Sequence, residues 1–144
     1  MDVRVPQEVP VSETTIQEHV VHFLHAFARN DVLWFAVPNG DVRHVKVGAR
    51  LKRTGLHAGA PDLVFLIDGQ FHGVEIKAYR GRLSTEQVAF QVDVERAGGA
   101  YHMCRGLNET LACLKAIKAI RPNVEISFPA AADGTCGVRA RIRV

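Results

Sequence analysis

Apolar residues near the start of the chain repeat with the period of an α-helix. The repeating positions are Ile16, Val20, Phe23, Leu24 and Phe27. Intervals of three and four residues place all five on one face of a helix. Ser12 before Glu13 is a typical N-cap, and Asn30-Asp31 are typical of a helix end. The pattern therefore predicts an amphipathic helix whose apolar side packs on a core.

Three short segments after this helix, two apolar runs and the return strand of a hairpin, have the length of β-strands. They are Val32–Val37, Leu63–Ile67 and Phe71–Lys77. The first is expected to be a buried strand that ends at Pro38-Asn39-Gly40, and the second a strand covered on both faces. Asp68-Gly69 separates the second run from the third and is a strong signal for a two-residue hairpin loop. The segment Val42–Val47 alternates weakly, which fits either a strand or a basic loop.

The second half of the chain carries signals for two more helices. Ser84-Thr85-Glu86-Gln87 forms a capping box, and the helix that it opens is expected to end at Gly98-Gly99. The remaining expected elements are a strand at Ala100–Cys104, a helix opened by Asn108-Glu109, and a hairpin of Val124–Phe128 with Val138–Val144. This order of elements predicts an α/β fold in which helices pack on a sheet.

The chain's 144 residues are 47% hydrophobic and 23% charged, which is ordinary for one globular domain. We therefore expect a single domain over residues 1–144, with a core at about 13–120 and a C-terminal hairpin at about 124–144. No apolar run reaches the roughly 18–20 residues that span a bilayer, and Met1–Ser12 lacks a signal-type apolar stretch. Three cysteines without a CxxC pair fit a reducing compartment. These features predict an intracellular protein without a membrane partner.

Positive charge is concentrated in one stretch of the chain. The net charge is only +3, which permits a polyanionic partner without requiring one. From Arg43 to Pro61, however, no acidic residue interrupts the basic residues Arg43, Lys46, Arg50, Lys52 and Arg53. This distribution favours a surface that faces phosphate groups.

The predicted hairpin brings two carboxylates and a lysine to one face of the sheet. With Asp68-Gly69 as the loop, Asp62 falls directly opposite Glu75, and opposite residues have Cβ atoms ~4.5–5.5 Å apart on the same face. Lys77 lies two positions beyond Glu75 and shares that face. Opposed carboxylates repel each other, whereas a divalent cation would cancel the repulsion. The arrangement therefore predicts metal-assisted hydrolysis of a phosphodiester.

The residues around this motif resemble a known nuclease family. Pro61-Asp62 with Glu75-Ile76-Lys77 is similar to the PD-(D/E)xK nuclease signature. The neighbouring sequence resembles the virus-type replication-repair nuclease (VRR-NUC) branch through Pro38-Asn39-Gly40, Arg43, Arg50-Leu51-Lys52, Gly55, Gly59-Ala60, Gly73-Val74, Gly81-Arg82-Leu83-Ser84 with Gln87, and Ala97-Gly98-Gly99. The likeness runs from about residue 13 to about residue 114. It implies a restriction-endonuclease-like core (helix, three strands, helix, strand) and Mg²⁺- or Mn²⁺-dependent cleavage of DNA.

The resemblance also implies roles for individual residues. Asp62 and Glu75 resemble the metal ligands, together with the carbonyl of Ile76, and Lys77 resembles the catalytic lysine. Gln87 is similar to a glutamine at the start of the helix after the catalytic strand, and it can serve there, in the capping box, or in both. Such nucleases often take another carboxylate from the first helix, for which Glu13 and Glu18 compete. Glu13 is preferred because a helical wheel places it within the apolar stripe.

The implied substrate is DNA, with the basic stretch beside the site. Asn39 and the five basic residues from Arg43 to Arg53 are the candidates for contacts with the DNA backbone. Because the chain has little room for a separate DNA-binding module, we expect a homodimer that presents two active sites to branched DNA such as a Holliday junction. That implies DNA repair in the cytoplasm of a bacterial or phage-infected cell. The alternatives are a less structure-selective phage or restriction-type nuclease and a non-catalytic nucleic-acid-binding module.

Overall fold

The first helix buries the whole apolar stripe that the sequence predicts. A computed structural model describes residues 12–38, 45–128 and 138–144, with only the backbone described at 45–47. Helix α1 spans Glu13–Phe27, and the Ser12 hydroxyl caps it by accepting from the Thr15 N–H at 3.1 Å. All five stripe residues are buried. The helix ends before the predicted Asn30-Asp31 because Ala28 turns into extended backbone and pairs with Ile120.

Four strands form the main sheet in the order β1-β2-β3-β4. Their bounds are Leu33–Ala36 (β1), Leu63–Ile67 (β2), Gln70–Lys77 (β3) and Ala100–Arg105 (β4). Strand β4 runs parallel to β3, and the other pairs are antiparallel. Asp68 and Gly69 both have positive φ, which is the conformation that a two-residue hairpin loop requires. The predicted register is confirmed, because Ile67 pairs with Gln70 and Leu63 with Val74.

Strand β1 corrects the expectation of a buried strand. It lies at an edge of the sheet, and the side chains of Leu33 and Phe35 are 59% and 48% exposed. Its partner β2 is not covered on both faces either, since Leu66 is exposed opposite Leu33. An apolar run alone does not distinguish an edge strand from a central one, because that depends on which strands pair with it.

Helix α2 corrects the interpretation of the basic stretch. It spans Val45–Arg53, so residues 45–47 are neither strand nor loop, while Val42 to His44 lie outside the described residues. Lysine, arginine, alanine and leucine favour a helix intrinsically, and they make up most of its later part. Arg50, Lys52 and Arg53 lie in its last turn, where the helix dipole favours positive charge.

The remaining elements follow the predicted order. Helix α3 spans Thr85–Arg96 with the predicted capping box, and α4 spans Gly106–Ala116, starting two residues before the predicted Asn108. Strands β5 (Val124–Ser127) and β6 (Arg139–Ile142) form the predicted antiparallel hairpin. Within the described residues, no helix combines the length and apolarity that a membrane crossing needs.

The apolar core lies between one face of the sheet and helices α1 and α4. Leu63, Phe65, Val74 and Ile76 face it from β2 and β3, and each is fully buried. Alternate residues of these strands point to the opposite face, toward α3. That opposite face carries the candidate site, so the core fixes the strands that hold it.

Candidate active site

The hairpin places Asp62 beside Glu75. Asp62 immediately precedes β2, one residue before Leu63, which pairs with Val74. The Asp62 carboxylate accepts a hydrogen bond from the Ile76 N–H, with 2.8 Å between Oδ2 and N. The bond ties the residue before β2 to the middle of the signature on β3.

Close packing around two glycines fixes the loop that leads to Asp62. A Cβ atom on Gly73 would lie 2.8 Å from Pro61 Cγ, so only glycine lets Pro61 rest on β3. Gly59 has a φ of +82°, and a Cβ there would lie 2.2 Å from the Glu86 carbonyl oxygen. The loop therefore lies against β3 on one side and the first turn of α3 on the other, which positions Asp62.

Glu75 is a buried carboxylate in which only one of the two oxygens has hydrogen-bonding partners. It is 3% exposed, and its Oε1 accepts from Gln87 Nε2 at 2.6 Å and lies 3.1 Å from Lys77 Nζ. Its Oε2 is buried and has no hydrogen-bond partner among the described residues. Burial, followed by the charge of Asp62, raises the pKa of Glu75 to about 7 despite the opposing effect of Lys77. Burial likewise raises the pKa of Asp62.

Gln87 takes part in both the helix cap and the site. Its side-chain Oε1 accepts from the Ser84 N–H at 2.9 Å, while the Ser84 hydroxyl accepts from the Gln87 N–H at 3.2 Å. The amide nitrogen of the same side chain donates to Glu75. The capping box therefore holds the amide in the orientation that Glu75 needs, and the two sequence interpretations of Gln87 are compatible.

Helix α1 brings both candidate glutamates near Asp62. Glu13 Oε1 accepts from the Ala78 N–H just after β3, at 3.3 Å, and its charge contributes to the raised pKa of Asp62. Glu13 is exposed, contrary to the helical-wheel argument, because it is the first residue of the helix. Glu18 lines a surface cavity of about 500 Å³ together with Asp62. The choice between the two carboxylates stays a prediction.

The carboxylate oxygens at this site suit a cation whose other coordination positions are filled by water and substrate. Across residues 12–38, 45–128 and 138–144, no three His, Cys, Asp or Glu side chains converge closely enough to hold a metal ion. Mg²⁺ is commonly bound by one or two carboxylates, with waters and phosphate oxygens supplying the other ligands. Asp62 and the unpartnered oxygen of Glu75 match that need. The Ile76 N–H bonds Asp62, and a role for the Ile76 carbonyl as a metal ligand stays a prediction.

Part of the predicted DNA-binding set lies on α2. Arg50, Lys52 and Arg53 occupy the last turn of this helix, and all three are exposed. Asn39 and Arg43 lie outside the described residues, as does the side chain of Lys46. Their contact with DNA stays a prediction.

Tyr101 is a site neighbour that sequence reasoning missed. It lies on β4 opposite Gly73, on the same face as Glu75, and its buried hydroxyl has no hydrogen-bond partner among the described residues. Burial raises its pKa, and the charges of Glu75 and Asp62 raise it further. Only the parallel pairing of β3 with β4 brings Tyr101 here, and no local signal predicts that pairing.

Comparison with known proteins finds a solved structure with a similar fold. No family model matches the sequence, and no curated protein matches it. Among solved structures, the chain is similar to a VRR_NUC domain protein at 18% sequence identity and a TM-score of 0.61, over 73% of this chain and 86% of that one. The order α1, β1, β2, β3, α3, β4 matches the expected core, with α2 inserted after β1. The predicted resemblance is confirmed at the level of the fold: the chain has the restriction-endonuclease-like α/β architecture of a VRR_NUC domain protein.

Proposed function

We propose that this protein is a metal-dependent endonuclease that hydrolyses phosphodiester bonds in DNA. One observation carries the proposal: the Glu75 carboxylate is almost fully buried beside Asp62 with Oε2 unpartnered. A buried carboxylate oxygen without a hydrogen-bond partner is costly, so folding alone gives no reason to keep it. The fold shared with a VRR_NUC domain protein supports the same conclusion.

Asp62 and Glu75 would hold Mg²⁺ or Mn²⁺, with Glu13 and the Ile76 carbonyl as further candidate ligands. When bound, such an ion lowers the pKa of a coordinated water and neutralises charge on the phosphate. Carboxylate oxygens suit hard cations of this kind. The raised pKa of Glu75 fits this role, since burial and the charge of Asp62 outweigh the single positive charge of Lys77, and a cation would favour the ionised form.

Lys77 and Gln87 supply the other parts of the mechanism. The Lys77 ammonium lies 3.1 Å from Glu75 Oε1 and carries three N–H donors. One proton bonds Glu75, which leaves the others to orient the attacking water and a non-bridging phosphate oxygen. Gln87 holds Glu75 in place through the capping box. We assign Lys77 as a catalytic residue and Gln87 as a positioning residue.

The basic residues are proposed to contact the DNA backbone. Arg50, Lys52 and Arg53 present exposed positive charge at the end of α2, and Asn39, Arg43 and Lys46 precede them in sequence. The turn after α2 leads through Gly59 to Pro61-Asp62, so this surface flanks the site along the chain. Contacts of this kind position the substrate and carry little sequence information.

A homodimer acting on branched DNA is the more specific part of the proposal. Leu33 and Leu66 pair directly, Phe35 shares their face, and all three are exposed at the β1 edge of the sheet. A second copy of the chain would cover this patch across a two-fold axis. Two active sites related in this way suit paired cuts at a four-way junction. Sedimentation of wild type and Phe35→Glu tests it: we expect a dimer that the substitution dissociates, and a wild-type monomer would contradict it.

A cleavage assay separates the possible functions. A four-way junction and a linear duplex are incubated with Mg²⁺, Mn²⁺ or EDTA, using wild type, Asp62→Asn, Glu75→Gln and Lys77→Ala. Glu95→Gln is the matched control, because Glu95 is exposed and, among the described residues, its carboxylate bonds only the Gln91 side chain. We expect metal-dependent cleavage of the junction that only the control retains.

Other results would replace the proposal with one of its alternatives. Equal rates on junction and duplex would indicate a less selective nuclease. Binding of DNA without any cleavage would indicate a non-catalytic module. Metal-dependent cleavage that survives Asp62→Asn would refute the assigned site.

A further inference from the structure

The segment between β3 and α3 presents an exposed aromatic ring next to the candidate site. We call residues 78–83 the β3–α3 loop, because they lead from Lys77 at the end of β3 to the cap residue Ser84. Tyr79 lies two positions after Lys77 and is 85% exposed. Within the described part of the chain, its side chain has no hydrogen bond or ring contact. The mechanism proposed above gives Tyr79 no role, so its ring is available to a ligand.

Three hydrogen bonds hold the backbone of this loop in place. The Gly81 N–H donates to the Ala78 carbonyl at 2.9 Å, which closes a turn around Tyr79. The Arg105 Nε–H donates to the Gly81 carbonyl at 3.1 Å, and the Ala78 N–H donates to Glu13 at 3.3 Å. The loop is therefore tied to β4 on one side and to α1 on the other. A ring held on such a backbone loses less entropy on binding than a ring on a mobile segment.

The turn of this loop lies directly against Lys77. A Cβ atom on Gly81 would lie 2.9 Å from Lys77 Cβ and 3.2 Å from Lys77 Cδ. The turn therefore packs on the aliphatic part of Lys77, whose ammonium group lies 3.1 Å from Glu75. A DNA strand whose phosphate reaches Lys77 therefore runs beside this turn and the ring of Tyr79.

The β3–α3 loop also carries unneutralised positive charge. Arg80 and Arg82 are exposed, and neither has an ion pair within the ranges that the structure describes. The loop contains no acidic residue. The arginines of β6 differ in this respect, because Arg141 and Arg143 both pair with Glu125. Exposed positive charge beside an aromatic ring is the combination by which proteins bind single-stranded nucleic acids.

We propose that the β3–α3 loop binds an unpaired nucleotide of the DNA substrate. The Tyr79 ring stacks on the base, and Arg80 and Arg82 contact the neighbouring phosphates. The inference rests on the proposed function for the choice of DNA, and it refines the branched substrate to one with an unpaired nucleotide beside the cleavage site. In a duplex, neighbouring base pairs cover the faces of each base, so the ring selects unpaired nucleotides. Every base has a π-face, so this selection does not depend on sequence.

DNA binding in EDTA tests the stacking separately from cleavage. Fluorescence anisotropy compares a splayed-arm DNA, which offers unpaired strands of both polarities, with a fully paired duplex. We expect Tyr79→Ala to weaken binding to the splayed DNA by roughly five- to 150-fold and to leave the duplex affinity nearly unchanged. Tyr79→Phe keeps the ring and should bind both DNAs as wild type does. Equal effects of Tyr79→Ala on the two DNAs, or no effect, would overturn the proposal.

Abasic nucleotides show whether the ring acts on the base itself. When they replace the unpaired nucleotides nearest the branch, wild type should lose as much affinity as Tyr79→Ala loses on the normal DNA. The Tyr79→Ala protein should be insensitive to the same replacement, because its side of the stacking contact is already absent. Equal losses in the two proteins would show that Tyr79 does not stack on a base, which would contradict the proposal.

The salt dependence of binding tests the two arginines. A phosphate contact on a single strand contributes about 0.7 to the slope of log K against log salt, so Arg80→Gln and Arg82→Gln should each lower the slope by this amount. Lys118→Gln is the control, because Lys118 is exposed beyond the far end of α4. Unchanged slopes in both arginine variants would refute the phosphate contacts. Wild type that binds the splayed DNA selectively but cleaves nothing would refute the proposed nuclease activity and support this inference.

Discussion

Val74 and Glu75 are adjacent on β3 and equally hidden from solvent, but for opposite reasons. Val74 belongs to the apolar core, where each Å² of apolar surface removed from water stabilises the fold by roughly 25 cal/mol. Glu75 points to the other face, next to another acid, with one oxygen unpartnered. Burial of an ion costs several kcal/mol. The core face of the strand therefore stabilises the fold. The face that carries Glu75 lowers the stability, which is the cost expected of the proposed metal site.

The contrast extends to the partners of each face. Ile76 contributes its side chain to the core and its N–H to Asp62, so a single residue links the two faces. The core determines where the strand lies, and the strand determines where the carboxylates lie. Substitutions on the two faces should therefore separate stability from activity.

The largest expected effect is on catalysis, from the polar face. Glu75→Gln should lower the cleavage rate on the order of 10³-fold, since a lost metal interaction removes several kcal/mol of transition-state stabilisation. Its free energy of unfolding should change less than that of Ile76→Ala, because the amide oxygen can still accept from Gln87 and Lys77. Single-turnover cleavage and urea unfolding measure the two quantities. A variant that is inactive only because it is unfolded would break the contrast.

On the core face, Ile76→Ala should show the reverse behaviour. Removing a fully buried isoleucine side chain lowers the free energy of unfolding by about 2–5 kcal/mol, and Ile76→Val by about 0.5–1.5 kcal/mol. Cleavage per folded molecule should stay close to wild type, because the Ile76 N–H to Asp62 is retained. Urea unfolding with activity normalised to the folded fraction checks this. A loss of normalised activity as large as that of Glu75→Gln would contradict it.

The pH dependence of stability sharpens the comparison further. The folded pKa of Glu75 is raised from 4.5 to about 7, so its protonated form stabilises the fold below pH 4.5, and this contribution is lost as pH rises through 7. In EDTA, wild type should lose stability relative to Glu75→Gln over this range, on the order of 1–3 kcal/mol. Urea unfolding of both proteins from pH 4.5 to pH 8 gives the difference. A difference that is constant with pH would contradict the pKa assignment.

The smallest expected effect comes from the capping box of α3, which holds Gln87 against Glu75. Ser84→Ala removes the hydroxyl that caps α3 and should cost about 1 kcal/mol of stability, with a cleavage loss of less than about tenfold, since Gln87 keeps its own bond to Glu75. Thr85→Ala is the matched control, because Thr85 is exposed and next in sequence. Equal effects of the two substitutions on unfolding would show that the capping box contributes little.

Local rules explain why much of this fold and site could be predicted. The periodicity of α1, the positive-φ turn Asp68-Gly69 and the capping box of α3 each depend on a few neighbouring residues. The turn alone fixes the hairpin register, which is why Asp62 could be placed opposite Glu75 from the sequence. The contact of Gln87 with both elements follows from the same two local features.

Two of the features that escaped prediction depend on non-local pairing. The exposure of β1 follows from its place at the edge of the sheet, and Tyr101 reaches the site only through the crossover from β3 to β4. Helix α2 was obscured by the weak alternation of Val42–Val47, which has the period of a strand over too few residues to decide. The exposure of Glu13 follows from its place as the first residue of α1.

The most direct test of the central claim is unfolding in the presence of a cation. The account holds that the carboxylate pair of Asp62 and Glu75 is kept for a divalent metal. Urea unfolding of wild type should therefore shift with added Mn²⁺, by about 2.7 kcal/mol at a hundredfold excess over Kd, while Glu75→Gln should not respond. Equal stabilisation of both proteins, or none in wild type, would contradict the account.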